Sequence, residues 1–277
     1  MLFHTDIRGD NLDIKIVDTT LRDGEQKAGI ALGVADKVLI AKMLDTLGIY
    51  QIEAGIPAMG GSEKKSIFKI MDLNLKSRIS VWNRMNIEDI KHSLECKPDI
   101  IHISVPVSDI QIKLKLGMGR STLIEYMRRC ICFALNKNSL VTVGMEDASR
   151  ADFEFMLNVI SVAKAEGIET IRYADTVGIL YRQRIFKEIQ EIRRQVGVNV
   201  DFHGHNDLGM AVANSISAAR AGARYIDCTI GGIGERAGNC SYYQFVYSAQ
   251  KCIGAFKNID IDEIMRVELK ILKIMEA

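Results

Sequence analysis

The chain has 277 residues, is 48% hydrophobic and 26% charged, and carries a formal net charge of +1. No basic cluster reaches the scale of a nucleic-acid footprint and no apolar run approaches the ~20 residues that span a bilayer, so a soluble, cytoplasmic protein with neither nucleic-acid nor membrane partners is expected. Six cysteines, at 96, 130, 132, 228, 240 and 252, form no CxxC pair and read as reduced, packed thiols, and the polar Met1–Asn11 lacks a signal-peptide core.

In chain order, β-rich runs predict strands at Ile14–Thr20, Ile49–Ile56, Ile79–Arg84, Ile100–Val107, Leu140–Glu146, Thr170–Thr176, Val198–His205 and Tyr225–Ile230. Between them, amphipathic patterns predict helices at Ala35–Leu47, Ser62–Leu73, Ile87–Leu94, Thr122–Asn136, Ala151–Glu166, Gln183–Gln195 and Leu208–Ala221. A further helix is expected to begin near Ser241, and Asp262–Met275 predicts a C-terminal helix at about 260–276. Asn86 stands before Ile87 as an N-cap, and Gly48, Gly167 and Gly222 follow three of the helices as stop signals. Eight strand-then-helix repeats at roughly 30-residue spacing predict an α/β fold, a closed (β/α)8 TIM barrel spanning 1–277 as one domain. An open doubly wound sheet is the alternative, weakened by the absence of a composition break.

In a barrel, chemistry collects at the carboxyl ends of the strands. Strand seven ends in His203-Gly204-His205, and residues two apart on a strand point to the same face. Paired imidazoles at that spacing suit a divalent metal, with two ordinary strand histidines as the alternative. Asp23, just after strand one, can meet them across the mouth, and Asn239 can add a neutral oxygen; Asp23 alone also fits a surface turn or helix cap. Such a donor set suits Mg²⁺, Mn²⁺ or Zn²⁺ without choosing among them.

Arg22 would bring a permanent charge suited to stabilising an oxyanion or enolate, or would pair with Glu25 or Asp18. Glu146, ending strand five, reads as an acid/base group or an orienter. Gly232–Ala237 after strand eight formally satisfies GxGxxA. It falls in the wrong βα unit for a dinucleotide fingerprint, so its amides are expected to contact carboxylate or phosphate.

Three segments carry a family resemblance: Asp18-Thr19-Thr20-Leu21-Arg22-Asp23-Gly24-Glu25-Gln26, His203-Gly204-His205-Asn206-Asp207 and Gly234-Glu235-Arg236-Ala237-Gly238-Asn239. Together they resemble the acyl-CoA-dependent metalloenzymes that include isopropylmalate, citramalate and homocitrate synthases. More distant likeness extends to 3-hydroxy-3-methylglutaryl-CoA lyase and pyruvate carboxylase-type domains. Residues 55–60, 104–109 and 146–152 look most like the nitrogen-fixation type of homocitrate synthase.

The resemblance implies Asp23, His203 and His205 as metal ligands with Asn239 as a fourth. It implies Arg22 as the enolate-stabilising residue, Glu146 as a catalytic or orienting carboxylate, and Gln26 and Thr176 as substrate contacts. Asn83 and Arg84 sit where substrate-selecting residues occur. The implied reaction is a Claisen condensation of acetyl-CoA with a 2-oxo acid, 2-oxoglutarate giving homocitrate and CoA.

Such synthases continue into helical subdomains that aid dimerisation and supply a histidine to the partner's site, whereas no histidine follows His205. An oligomer is therefore expected, with a separate subunit carrying the C-terminal region. The alternatives are an isopropylmalate- or citramalate-synthase-like enzyme, a 3-hydroxyacyl-CoA lyase, and a non-catalytic barrel subunit.

Overall fold

The structure, a computed structural model, describes residues 13–276. Met1–Asn11, read above for a signal peptide, lie outside the described residues, as do the two ends of the 1–277 domain. Eight parallel strands close into a ring in sequence order. They are β1 (Lys15–Asp18), β2 (Gln51–Glu53), β3 (Arg78–Arg84), β4 (Ile100–Pro106), β5 (Leu140–Glu146), β6 (Thr170–Asp175), β7 (Asn199–Gly204) and β8 (Tyr225–Cys228). β8 pairs back onto β1, with Lys15 opposite Tyr225 and Asp18 opposite Cys228.

The surrounding helices are α1 (Val34–Thr46), α2 (Gly61–Met71), α3 (Ile87–Cys96), α4 (Asp109–Leu116), α5 (Arg120–Leu135), α6 (Phe153–Ala165), α7 (Arg182–Gln195), α8 (Ala211–Arg220), α9 (Tyr242–Cys252) and α10 (Ile261–Met275). No helix among the described residues is long and apolar enough to cross a membrane.

Every predicted helix is present within a few residues, and capping side chains explain the edges. Asn86 accepts a hydrogen bond from Glu88 N at 2.8 Å, and Ser241 one from Gln244 N at 3.4 Å. Two helices begin later than their patterns predict. α6 starts after its N-cap Asp152, which accepts from Phe155 N at 2.8 Å, and α8 starts at Ala211 because Leu208 and Gly209 form a turn.

Helix α4 had no predicted element. Its sequence, Asp-Ile-Gln-Ile-Lys-Leu-Lys-Leu, alternates with the period of a strand. Ser108 caps it, Gly117 (φ 63°) ends it, and only Ile112 is buried, so local capping prevails over the pattern.

Alternation along the strands sorts the core from the site. Ile52, Val81, Ile101, Ile103, Val143, Ile171, Val200, Phe202 and Ile226 face the helices and join the apolar core. The intervening positions, Glu53, Trp82, His102, Ser104, Gly144, Glu146, Arg172, Asp201, His203 and Asp227, face the barrel interior, where branched apolar residues usually dominate. A polar interior on this scale requires every charge to be paired.

Candidate active site

At the carboxyl end of the barrel, Asp23 follows β1 and the two histidines end β7. Asp23 Oδ2 lies 3.1 Å from His203 Nε2 and 3.7 Å from His205 Nε2, and the two Nε2 atoms are 3.2 Å apart. All three side chains are buried, and together they form a group able to hold a metal ion. Ligands about 2.1 Å from an octahedral cation stand about 3 Å apart, so the triangle matches that demand.

Asn239 joins from the turn after β8, bridged to His205 as an antiparallel pair. Its Nδ2 donates to Ile233 O at 3.0 Å, whereas its buried Oδ1 has no partner, as befits a waiting ligand. The turn's Gly232, Gly238 and Asn239 amides bond within the loop itself, to Thr229, Glu235 and Gly232 carbonyls. Within Gly232–Ala237 the Gly232 and Ile233 amides are thereby committed, and the expected carboxylate or phosphate contact falls to those of Gly234 to Ala237. The glycines also serve placement: a Cβ on Gly234 would stand 2.1 Å from Asn239 Nδ2.

Electrostatics favour a cation here. Burial alone would make His203 less basic. Asp227 Oδ2, 3.0 Å from its Nδ1, and Asp23 on Nε2 outweigh that and raise it to about 10. Burial and the neighbouring His203 charge push His205 down to about 4. Burial opposes ionisation of Asp23, but Arg22 and His203 hold its carboxyl well below the usual range. Two imidazole nitrogens and a carboxylate crowded together need positive charge between them, and the Asp227 contact fixes the tautomer and tilt of His203 as an outer-shell carboxylate does for a metal-bound imidazole.

Beneath the triad lies a buried ion network. Arg172 reaches Glu53 Oε2 at 2.9 Å, Asp201 Oδ2 at 2.7 Å and Asp227 Oδ2 at 3.3 Å. Glu53 Oε1 accepts from Arg22 Nε at 2.6 Å, and Arg22 Nη1 stands 3.5 Å from Asp23 Oδ2. Arg22 thus pairs with Glu53 and Asp23 rather than with Glu25 or Asp18. Glu25 pairs with Lys37 at 2.5 Å, and Asp18 accepts from the amide and hydroxyl of Thr20. The ring of Trp82, 5.9 Å from the Arg22 guanidinium, completes its support.

A cavity of about 210 Å³ opens over this floor and is lined by Arg22, Asp23, Gln26, Glu146, Thr176, His203 and His205, as expected. With its amide turned to donate, Gln26 lies 3.2 Å from Asp23 Oδ1 and 2.9 Å from Glu235 Oε1. Thr176 Oγ1 accepts from Asp147 N at 2.9 Å. Asn83 is the exception. It is on the opposite face of β3 from Trp82, its Oδ1 accepting from Ser93 Oγ at 2.5 Å and its Nδ2 donating to His102 O at 3.1 Å. Period-two alternation turns it toward α3, so it has no contact with the cavity. Arg84 likewise pairs outside, with Asp89 at 2.7 Å.

Sequence reasoning assigned no role to Glu53, His102, Lys115, Arg172 and Asp227. For the strand residues the available signal was charge within otherwise apolar strands, since an Arg or Asp there demands a partner across the barrel; Lys115, on α4, carried no such signal.

Residues 13–271 match the HMGL-like family. The chain belongs to the HMGL-like family. It is 51% identical over 265 residues to the homocitrate synthase subunit alpha of Clostridium pasteurianum, covering 95% of this chain and 98% of that protein. It is 42% identical over 233 residues to 2-isopropylmalate synthase 2 of Caldanaerobacter subterraneus subsp. tengcongensis, covering 84% of this chain but 61% of that longer protein. Among solved structures, hydroxymethylglutaryl-CoA lyase from Pseudomonas aeruginosa superposes with a TM-score of 0.84 at 16% identity, over 95% of this chain and 93% of that one, a likeness of fold.

Proposed function

We propose that this chain is the catalytic barrel of an acyltransferase that joins acetyl-CoA to a 2-oxo acid by Claisen condensation. The acceptor is 2-oxoglutarate, the products are homocitrate and CoA, and the barrel works with a separate polypeptide. The observation that carries this reading is the Asp23, His203, His205 triangle with the Arg22 guanidinium beside it on the floor of one cavity. Asp23, His203, His205 and Asn239 would hold Mg²⁺, Mn²⁺ or Zn²⁺, which supplies Lewis-acid polarisation of a 2-oxo group.

The chain's own residues do the rest. Thr176 and Gln26 bind and orient the acid at the β6 and β1 edges of the cavity. Arg22, held through Nε by Glu53, keeps its remaining N–H groups for the oxygen that becomes negative as the carbon–carbon bond forms. Glu146 is assigned the proton leaving the acetyl methyl, because Glu53 is locked between two arginines. The new alkoxide then takes up a proton, and hydrolysis of the thioester releases CoA.

The partner is supported by the 51%-identical relative, which spans nearly the same length and is itself named a subunit. The same reading makes the enzyme a cytoplasmic oligomer of the nitrogen-fixation type. A lyase reading finds no support at Cys240, which is buried 3.9 Å from Cys228.

The test is CoA release from acetyl-CoA with 2-oxoglutarate, 2-oxoisovalerate and pyruvate compared at fixed Mg²⁺ or Mn²⁺. The chain is assayed alone and in the complex purified from its native source. Release dependent on a 2-oxo acid, greatest with 2-oxoglutarate and greatest in the complex, is expected. No such release in either preparation refutes the condensation, and full turnover by the isolated chain refutes the need for a partner.

A further inference from the structure

We propose that Lys115 and Ser104 form a carboxylate subsite on the β4–β5 wall that takes the far end of a dicarboxylic 2-oxo acid, and that Glu146 occupies this subsite while no acid is bound. The proposal rests on the 2-oxo acid reading and extends it to the choice of acceptor.

Topology sets the direction. In a closed ring of eight strands, β4 and β5 face β8 and β1 across the mouth. An acid anchored by its oxo and carboxylate oxygens near Asp23, His203 and His205 therefore extends its tail toward β4 and β5. The groups on that wall are Ser104, Lys115, Glu146, His102 and Gly144, all lining the same cavity.

The inventory of cations narrows the choice. Arg172 is committed to three carboxylates, and Arg22 to Glu53 and Asp23. Among the described cavity residues, Lys115 is the cation held by a single carboxylate, and its side chain is 46% exposed. It can change partner at little cost, because a half-exposed ammonium keeps its hydration during the exchange.

The constellation already grips a carboxylate. Glu146 Oε1 lies 2.6 Å from Lys115 Nζ, and Oε2 accepts from Ser104 Oγ at 3.0 Å. One ammonium and one hydroxyl thus engage the two oxygens of one carboxylate, the arrangement that a substrate carboxylate would require. Gly144 makes room for the His102 ring beside them, since a Cβ there would stand 2.6 Å from His102 Nε2. The His102 ring is held by Thr142 Oγ1 at 2.9 Å from Nδ1. An entering distal carboxylate displaces Glu146 from Lys115 and Ser104, which frees the Glu146 carboxylate as the acceptor of the methyl proton. A dicarboxylic acid would then assemble its own catalytic site, whereas an acid with an apolar tail leaves Glu146 paired.

Trp82, the single tryptophan of the chain, lines this cavity and reports binding without turnover. The complex in excess Mg²⁺ is titrated with 2-oxoglutarate and with 2-oxovalerate. The second acid has the same chain length and lacks the distal carboxylate.

The wild type is expected to bind 2-oxoglutarate at least about tenfold more tightly, the scale of one charge-assisted hydrogen bond. Lys115→Met should abolish that preference by weakening 2-oxoglutarate alone, and Ser104→Ala should reduce it. Equal binding of the two acids by the wild type, or a preference that survives Lys115→Met, overturns the subsite while leaving the 2-oxo acid reading intact. Failure of the wild type to bind either acid overturns both.

Discussion

Replacing Arg172 by Met tests whether the polar interior is held by charge pairing. The substitution keeps most of the side chain's volume and removes the charge that faces Glu53, Asp201 and Asp227 at 2.9, 2.7 and 3.3 Å. Glu53 would retain Arg22, and Asp227 would retain His203, but Asp201 would lose its ion-pair partner in a buried setting. Breaking a buried pair from one side costs about 3–5 kcal/mol. A chain of this length unfolds with an entropy of about 0.6 kcal/mol/K, so the melting temperature should fall by roughly 5–9 °C.

The double variant Arg172→Met with Asp201→Asn removes one of the stranded charges and should recover part of that loss. Thermal unfolding followed by circular dichroism in EDTA measures both without interference from metal. A fall of less than about 2 °C for the single variant would show that water or proton uptake already neutralises these carboxylates, and would refute the argument that Arg172 holds the interior together. No recovery in the double variant would assign the loss to packing.

Three further outcomes follow from the same geometry. Mn²⁺ binding measured by calorimetry should weaken at least about 100-fold in His203→Ala, since one of three strong donors and its Asp227 support are lost together. Saturating the wild type with Mg²⁺ or Mn²⁺ at about 100 times the dissociation constant should stabilise it by about 2.7 kcal/mol, raising the melting temperature by roughly 4–5 °C, and EDTA should reverse the rise. Arg22→Lys should lower the condensation rate about 10²–10³-fold while leaving Mn²⁺ affinity within a few-fold, because a lysine cannot bond Glu53 and face the reacting oxygen at once. A parallel loss of metal affinity would place Arg22 in the metal site rather than beside it.

Much of this protein is legible in the chain. Strand and helix periods alternate eight times, so the barrel follows from local patterning and the short connections of parallel strands. His203 and His205 could be placed on one face because a strand's side-chain period is two. Arg22, Asp23 and Asn239 could be placed at the mouth because they follow strand ends. The same alternation, applied to β3, would have turned Asn83 away from the site and Trp82 toward it.

Tertiary structure decided the partners. No local pattern says that Arg172 bridges Glu53, Asp201 and Asp227, or that Lys115 comes back from α4 to meet Glu146, since these pairs are separated by 29 to 119 residues in sequence and meet only when the ring closes. Helix α4 shows the reverse case, a strand-like alternation folded as a helix because its caps at Ser108 and Gly117 outweigh its pattern. The sequence by itself determined which residue types reach the barrel mouth. Closure of the barrel determined which of them touch, because buried charge is tolerated only where a partner from a distant strand neutralises it.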